Sequence, residues 1–169
     1  RLSTLPPHDL LLLGEQHDVD EHQALERATV AHLAAQGRLA ALVLEMAERG
    51  AGTTGLPRDA TDAQAQAALR WNQAGWPWER YGPAVMAAVR AGVPVLGGNL
   101  PRAEMGAAMR DASLEQRLPL AELQAQQEQI RDGHCGLLPE AQVPGMVRIQ
   151  LARDLAMART LAEATAGGR

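Results

Sequence analysis

The sequence predicts an α/β fold with a parallel β-sheet that has helices on both faces. Three short apolar runs are continuous rather than alternating, which is typical of strands covered on both sides by helices. Segments with helical spacing lie between and after these runs, and alternating strands and helices indicate βαβ units with parallel strands. The length of 169 residues suits one domain, spanning residues 1–169.

The predicted strands are Asp9–Gly14, Ala41–Met46 and Val93–Gly98. The leucines of the first run are also compatible with a helix, but Gly14 ends the run too soon. Pro94 lacks a backbone N–H donor, so it is expected at the start of the third strand.

Six helices are predicted between and after the strands, and the clearest signals are at the ends of the first ones. Asp20 can cap the first helix and Gly37 can end it, while Thr61 or Asp62 can cap the second. The predicted helices are 20–36, 61–70, 82–90, 103–110, 120–131 and 144–164. A βαβ pattern would continue with a strand after residue 166, so the prediction leaves open a C-terminal strand that this chain lacks.

Charge and composition exclude several classes of partner. The net charge is −4, and all 16 basic residues are arginines scattered singly, so nothing favours nucleic acid or an anionic membrane surface. No apolar run reaches the roughly 18 residues of a transmembrane segment. No signal peptide is visible, although a chain that begins at Arg1 is consistent with removal of an N-terminal segment. The single Cys135 cannot form an internal disulfide and leaves the redox compartment open.

Polar residues follow each predicted strand. Glu15 and His17 come after the first, Glu45 ends the second, and Asn99 and Arg102 come after the third. Ligands of open parallel sheets bind outside the carboxyl ends of the strands, so these residues predict a polar crevice. A buried carboxylate needs a partner. One interpretation is an ion pair between Glu45 and Arg102 that braces the loops, and the other is a site in which His17 is a metal ligand or general base.

The aromatic residues form a second signal, because all three tryptophans and the only tyrosine lie within Trp71–Tyr81 and there is no phenylalanine. Such a concentration indicates either a surface for a planar ligand or a partner, or a local plug of the core. Tyr81 is the only phenol that could serve iron(III) porphyrin as an anionic ligand.

A third, weaker signal is the loop Gly133–Gly136, which contains His134 and Cys135. The pair lacks the spacing of a zinc site, and a loop with a buried thiol is the alternative interpretation. Neither a G-x-G-x-x-G nor a Walker A motif occurs, which argues against dinucleotide and nucleoside triphosphate binding.

Taken in order, five motifs resemble those of the ChaN-like family. They are Gly14-Glu15-Gln16-His17-Asp18, Leu44-Glu45-Met46, Trp76-Pro77-Trp78-Glu79-Arg80-Tyr81, Gly98-Asn99-Leu100-Pro101-Arg102 and the late helix around Ile149–Ala158. The resemblance implies a haem-binding protein of the bacterial cell envelope, often a lipoprotein, that takes part in iron or haem uptake. It also implies kinship with the Tiki proteases and erythromycin esterase-like proteins.

The first functional hypothesis that follows from the resemblance is haem binding, with a homodimer when haem is bound. Tyr81 would ligate the iron, and Trp76 and Trp78 would provide flat apolar contacts. His17 or His134 would hydrogen-bond the ligand or give a second iron contact. The predicted cofactor contacts also include Asn99 and Arg102.

The alternative is a divalent-metal hydrolase that uses Glu15, His17 and Glu45 as metal ligands or base. Asn99 and Arg102 would then hold an oxyanion, and the donor set suits Mn²⁺ or Zn²⁺. A third hypothesis is a scaffold whose aromatic cluster docks a protein partner. The balance of these observations favours a binding protein over an enzyme.

Overall fold

The computed structural model describes residues 8–166, which fold around a small parallel sheet. Its strands are β1 (Leu42–Glu48) and β2 (Val95–Asn99). Its helices are α1 (Asp20–Ala35), α2 (Asp62–Ala68), α3 (Trp78–Ala91), α4 (Met105–Arg110), α5 (Leu120–Gly133) and α6 (Val143–Ala166). Short 3₁₀ segments occupy Arg102–Glu104, Ala112–Arg117 and Glu140–Gln142.

The sheet confirms the predicted α/β class. β1 and β2 pair in parallel, and α2 and α3 connect them, which makes one βαβ unit. The predicted strand Asp9–Gly14 is wrong, because residues 9–14 form no strand and Leu12 is 71% exposed. A run made only of leucines lacks the β-branched residues that favour strands, whereas both observed strands contain valine. The expectation about a C-terminal strand concerns residues outside those described.

The pairing of the two strands is irregular at the end that carries the polar residues. Leu44 pairs with Gly97 and Glu48 pairs with Asn99, so four residue steps on β1 oppose two on β2. Glu45 therefore lies inside this bulge rather than at the tip of the strand. A Cβ atom on Gly97 would lie 2.0 Å from the carbonyl oxygen of Glu48, so only glycine fits there. Bulges of this kind re-aim side chains next to functional sites.

The helix boundaries follow the predicted caps with two differences. Thr61, one of the two predicted caps, caps α2 in a capping box with Gln64, and Gly37 follows α1 with a φ of +65°. Asp20 is the first helical residue of α1 instead of its cap, a position where its charge is favourable to the helix dipole. α3 begins at Trp78, directly after Pro77, rather than at residue 82.

Two hydrophobic clusters support the sheet. The first joins α1, α2 and α3 to both strands, and the second joins α4, the 3₁₀ segment Ala112–Arg117 and the first half of α6. α6 also contacts both strands. Within residues 8–166 no helix has the length and apolar character required to cross a membrane.

Candidate functional site

A crevice of about 460 Å³ lies between the segment before α1, α1 itself and β1. Its lining residues are Leu12, Leu13, Gly14, Glu15, His17, His22, Leu25, Glu26, Val43, Leu44, Glu45 and Met46. The structure thus brings Glu15, His17 and Glu45 to one cavity, although the first of the predicted strands is absent. We call this cavity the Glu15 crevice. Its volume falls within the roughly 300–1,000 Å³ of small-molecule sites.

Glu15 is the centre of the hydrogen-bond network in this crevice. Its Oε1 accepts a hydrogen bond from the Tyr81 hydroxyl at 3.0 Å and lies 2.7 Å from His17 Nδ1. Its Oε2 accepts a hydrogen bond from Gln23 Nε2 at 2.8 Å. The carboxylate side chain is only 13% exposed, so three donors satisfy a group that would otherwise be costly to bury.

Tyr81 is deeply buried, with 2% of its surface exposed. Burial raises the pKa of its phenol well above the usual value, and the hydrogen bond to Glu15 and the negative charge of Glu15 add to the effect. The phenol therefore stays protonated at neutral pH and acts as a hydrogen-bond donor. To contact a ligand it would have to give up Glu15 and leave its buried position.

His17 is the exposed member of the network, with 47% of its side chain accessible. Because a carboxylate only accepts, the contact with Glu15 places the proton of the neutral ring on Nδ1 and leaves a lone pair on Nε2. The ring packs edge-on against Trp76 at a centroid distance of 4.8 Å. Arg80 donates from NH1 to the carbonyl oxygen of His17 at 2.8 Å, which fixes the backbone as well.

Two further titratable groups of α1 line the crevice. His22 Nδ1 accepts a hydrogen bond from the backbone N–H of Gln16 at 3.0 Å, so its neutral ring presents an N–H donor at Nε2. Burial, and then the charge of Glu15, raise the pKa of Glu26 to about 7. Sequence reasoning missed Glu26, because one glutamate on an amphipathic helix carries no distinguishing signal.

Glu45 and Asn99 are held together by an arginine that the sequence analysis did not select. Arg153 of α6 donates from NH2 to Glu45 Oε1 at 2.7 Å and from Nε to Asn99 Oδ1 at 2.9 Å. Asn99 in turn donates from Nδ2 to the carbonyl oxygen of Glu45 at 2.8 Å. The predicted ion pair between Glu45 and Arg102 is wrong, since β1 extends past Glu45 and α6 supplies the cation.

Arg102 is exposed and uses its backbone N–H to bind Glu48 Oε1 at 3.0 Å. The motif around Ile149–Ala158 contained Arg153, but nothing in its spacing indicated Glu45 as the partner.

The aromatic segment divides into a buried part and a part beside the crevice. Trp78 is 8% exposed, belongs to the first hydrophobic cluster and donates from Nε1 to Asp62 Oδ2 at 2.7 Å. Trp71 donates to the carbonyl oxygen of Trp76 at 2.8 Å. Trp76 is half-buried and contacts the rings of both His17 and Tyr81. The core-plug interpretation therefore describes Trp78, whereas Trp76 lies next to the polar network.

His134 lies after the end of α5, where its Nδ1 is 2.7 Å from the carbonyl oxygen of Ile130. It does not line the Glu15 crevice. Cys135 beside it is exposed and has a φ of +53°. The structure does not bring this loop to the other predicted site residues.

The donors of the crevice are not arranged for a metal ion. Across residues 8–166 no group of three or more histidine, cysteine, aspartate or glutamate side chains could hold one. The carboxylate of Glu15 is engaged by Tyr81, Gln23 and His17, and that of Glu45 by Arg153. This arrangement does not favour the hydrolase hypothesis.

A larger groove of about 1010 Å³ lies between β2, α4 and α6. Arginines, small apolar residues and leucines line most of it, and none of the predicted site residues does. Its lining contains no tyrosine, histidine, cysteine or methionine, so it offers none of the usual axial ligands of haem iron.

Comparison with known proteins identifies the group to which this fold and crevice belong. A family model described as "Haem-binding uptake, Tiki superfamily, ChaN" matches residues 2–169. The chain belongs to the ChaN family. The predicted family is thereby confirmed, and the prediction of haem as the cofactor agrees with the ligand that the description of the ChaN family gives.

A solved structure shows the same fold. It is described as cofacial heme binding to ChaN of Campylobacter jejuni, and it is similar to this chain with a TM-score of 0.66 and 23% sequence identity. The match covers 90% of this chain and 65% of the Campylobacter protein, so this chain spans less than two thirds of that protein's length. No curated protein matches the chain.

Proposed function

We propose that this chain binds haem in the Glu15 crevice, with His17 facing the iron. Membership of the ChaN family supports haem as the ligand. The observation that carries the proposal is the 2.7 Å contact between His17 Nδ1 and Glu15 Oε1, because it leaves the Nε2 lone pair of a half-exposed imidazole free. Histidines that ligate metals almost always donate their other ring N–H to such a partner.

The walls of the crevice suit the flat apolar ring of haem. Leu12, Leu13 and Leu25 line it and are 71%, 47% and 55% exposed. Leucines grouped so openly at one cavity mark a surface that a flat apolar molecule would cover. Haem supplies such a surface together with an iron(III) ion that accepts an axial ligand.

Direct ligation through Tyr81 stays a prediction. The 2% exposure of Tyr81 and its hydrogen bond to Glu15 mean that the phenol would reach an iron only after a rearrangement of the network. His17 needs no rearrangement. Spectroscopy separates the two, since phenolate and imidazole ligands give iron(III) porphyrin different charge-transfer bands.

A hemin titration followed by absorbance tests the proposal. The unaltered protein should shift the Soret band at a defined stoichiometry, and His17→Gln should lose that shift or weaken binding at least tenfold. His134→Gln is the matched control, because the same change is made outside the crevice, and it should bind like the unaltered protein. No Soret shift in the unaltered protein, or an unchanged spectrum in His17→Gln, would refute the assignment.

The homodimer, the role in uptake and the location in the cell envelope belong to the same proposal. The description of the family as haem-binding uptake supports the role in uptake. Light scattering of the protein with and without hemin tests the dimer. A dimer that forms only with haem should double the measured mass after hemin is added. Fractionation of cells that express the full-length protein tests the location.

A further inference from the structure

We infer that Arg80 binds a propionate group of haem at the rim of the Glu15 crevice, so that the porphyrin enters with its opposite, propionate-free edge first. The inference rests on the proposed function, because it requires haem in this crevice. It does not depend on which side chain ligates the iron, since Arg80 contacts His17 and directly precedes Tyr81 in α3. Arg80 is thereby a residue that selects porphyrins by their carboxylates.

The inner wall of the crevice is unfavourable for a propionate. Glu15, Glu26 and Glu45 line it, and within residues 8–166 only the last of these three has an arginine partner. A propionate brought next to Glu15 would face a like charge in a partly buried place, where screening by salt is weak. The leucines of the same cavity suit the methyl and vinyl groups of the opposite edge of the ring. The propionates are therefore expected outside this wall.

Arg80 supplies a cation at the rim. Its NH1 donates to the carbonyl oxygen of His17 at 2.8 Å, and its Nε lies 3.4 Å from Asp20 Oδ1. The side chain of Arg80 is 39% exposed and that of Asp20 is 81% exposed, so this ion pair is weak and a carboxylate ligand can replace it. The guanidinium has further N–H groups that no other described residue engages, and their planar fork matches a carboxylate.

The other candidate donors near the crevice are less suitable for a propionate. Arg153 is only 24% exposed, and two side chains already bind its guanidinium. His22 lines the cavity but offers a single ring N–H, which cannot bind both oxygens of a carboxylate. Arg102, which the sequence predicted as a haem contact, makes no hydrogen bond or ion pair with a lining residue among those described. Arg80 is the arginine that combines exposure with a contact to the lining.

A comparison of hemin with hemin dimethyl ester tests this contact, because the ester keeps the iron and the ring but removes both carboxylate charges. Arg80→Gln should weaken the binding of hemin about tenfold and that of the ester less than about twofold. Soret titrations give the dissociation constants, with both ligands added from dimethyl sulfoxide. The ratio of variant to unaltered protein is taken for each ligand separately, so the different solubilities of the two ligands cancel.

Two further variants separate the charge of Arg80 from its structural contact. Arg80→Lys keeps the positive charge without the planar fork, so its affinity for hemin should lie between those of the unaltered protein and Arg80→Gln. Arg90→Gln is the matched control, since Arg90 is an exposed arginine at the other end of α3. It should bind hemin and the ester like the unaltered protein.

Each outcome decides the inference. If Arg80 only holds the backbone of His17, Arg80→Gln weakens hemin and the ester by the same factor, and the inference is wrong. Unchanged hemin binding by Arg80→Gln would also overturn it. If the unaltered protein binds hemin but not the ester, Arg80→Gln must lose most of its hemin binding too, and retention of that binding refutes the contact. Absence of a Soret shift in the unaltered protein refutes the proposed function itself, and the inference with it.

Discussion

The protonation of Glu26, one side chain of the Glu15 crevice, affects the stability of the fold. It lies on α1, lines the Glu15 crevice and is partly buried, and no hydrogen bond from the described residues reaches its carboxylate. Desolvation, with a smaller contribution from Glu15, raises its pKa to about 7. The folded state is therefore more stable when the Glu26 side chain is neutral than when it is ionised.

The sign of the pH dependence follows from the number of bound protons. Between pH 4.5 and 7 the unfolded chain has lost the proton of Glu26 while the folded chain keeps it, so the free energy of unfolding falls as the pH rises. Urea unfolding at pH 5 and pH 7.5 should show this fall in the unaltered protein. Glu26→Gln should remove part of it, because the amide is neutral at both values.

The control for Glu26 is Glu21→Gln, a change of the same kind at an exposed position of α1. It should leave the difference between the two pH values close to that of the unaltered protein. If Glu26→Gln shows the same loss of stability between pH 5 and pH 7.5 as the unaltered protein, the raised pKa is wrong.

The sequence identifies the type of polar residue at the site but not its partners. Glu15 and His17 are selectable because they follow the apolar run that was predicted as the first strand, in a recognisable motif. The hydrogen bond from Tyr81 to Glu15 spans 66 positions, and the link from Arg153 to Glu45 spans 108. Such pairs depend on how α3 and α6 pack on the sheet, which no local pattern records.

At the scale of elements, the bulge between β1 and β2 depends on a glycine. A Cβ atom at Gly97 would lie 2.0 Å from the carbonyl oxygen of Glu48 and 2.6 Å from its carbonyl carbon. Both are backbone atoms, so relief of the clash requires the strands to separate. Gly97→Ala should lower the free energy of unfolding by about 1–3 kcal/mol, the range of overpacked interiors.

Urea unfolding measures this loss, and Gly133→Ala provides the control. Gly133 has no atom within 4 Å of an added Cβ, so alanine there should be neutral or slightly stabilising. Equal stability of the two variants would contradict the register of the bulge.

The sequence predicts elements well where two independent signals agree. The first helix had both helical periodicity and end signals at Asp20 and Gly37, and it forms as α1. The first run had hydrophobicity alone, because its four consecutive leucines suit a helix, a strand or an apolar wall. In the structure two of these leucines, Leu12 and Leu13, line the Glu15 crevice. The prediction was therefore wrong about the conformation of these leucines, which still lie beside the predicted polar residues.

At the scale of the whole molecule, α6 is joined to the site through its polar face. It contacts both strands. The hydroxyl oxygen of Thr160 lies 3.2 Å from the carbonyl oxygen of Ala156 and 3.5 Å from the carbonyl oxygen of Gly97 on β2. A two-stranded sheet is marginal by itself and needs such packing. Arg153 adds a direct link, because its guanidinium binds Glu45 on β1 and Asn99 on β2 at once.

Arg153→Met tests whether this link stabilises the molecule as a whole. The methionine keeps the apolar stem but leaves Glu45 without its cation, which should cost about 1–3 kcal/mol of unfolding free energy. Arg159→Met is the control on the same helix, because Arg159 is exposed, and it should change stability by less than about 0.5 kcal/mol. Addition of Glu45→Gln to Arg153→Met should cost little more, since the partner is already lost. An equal loss in the Arg153 and Arg159 variants would show that α6 is held by its apolar contacts alone.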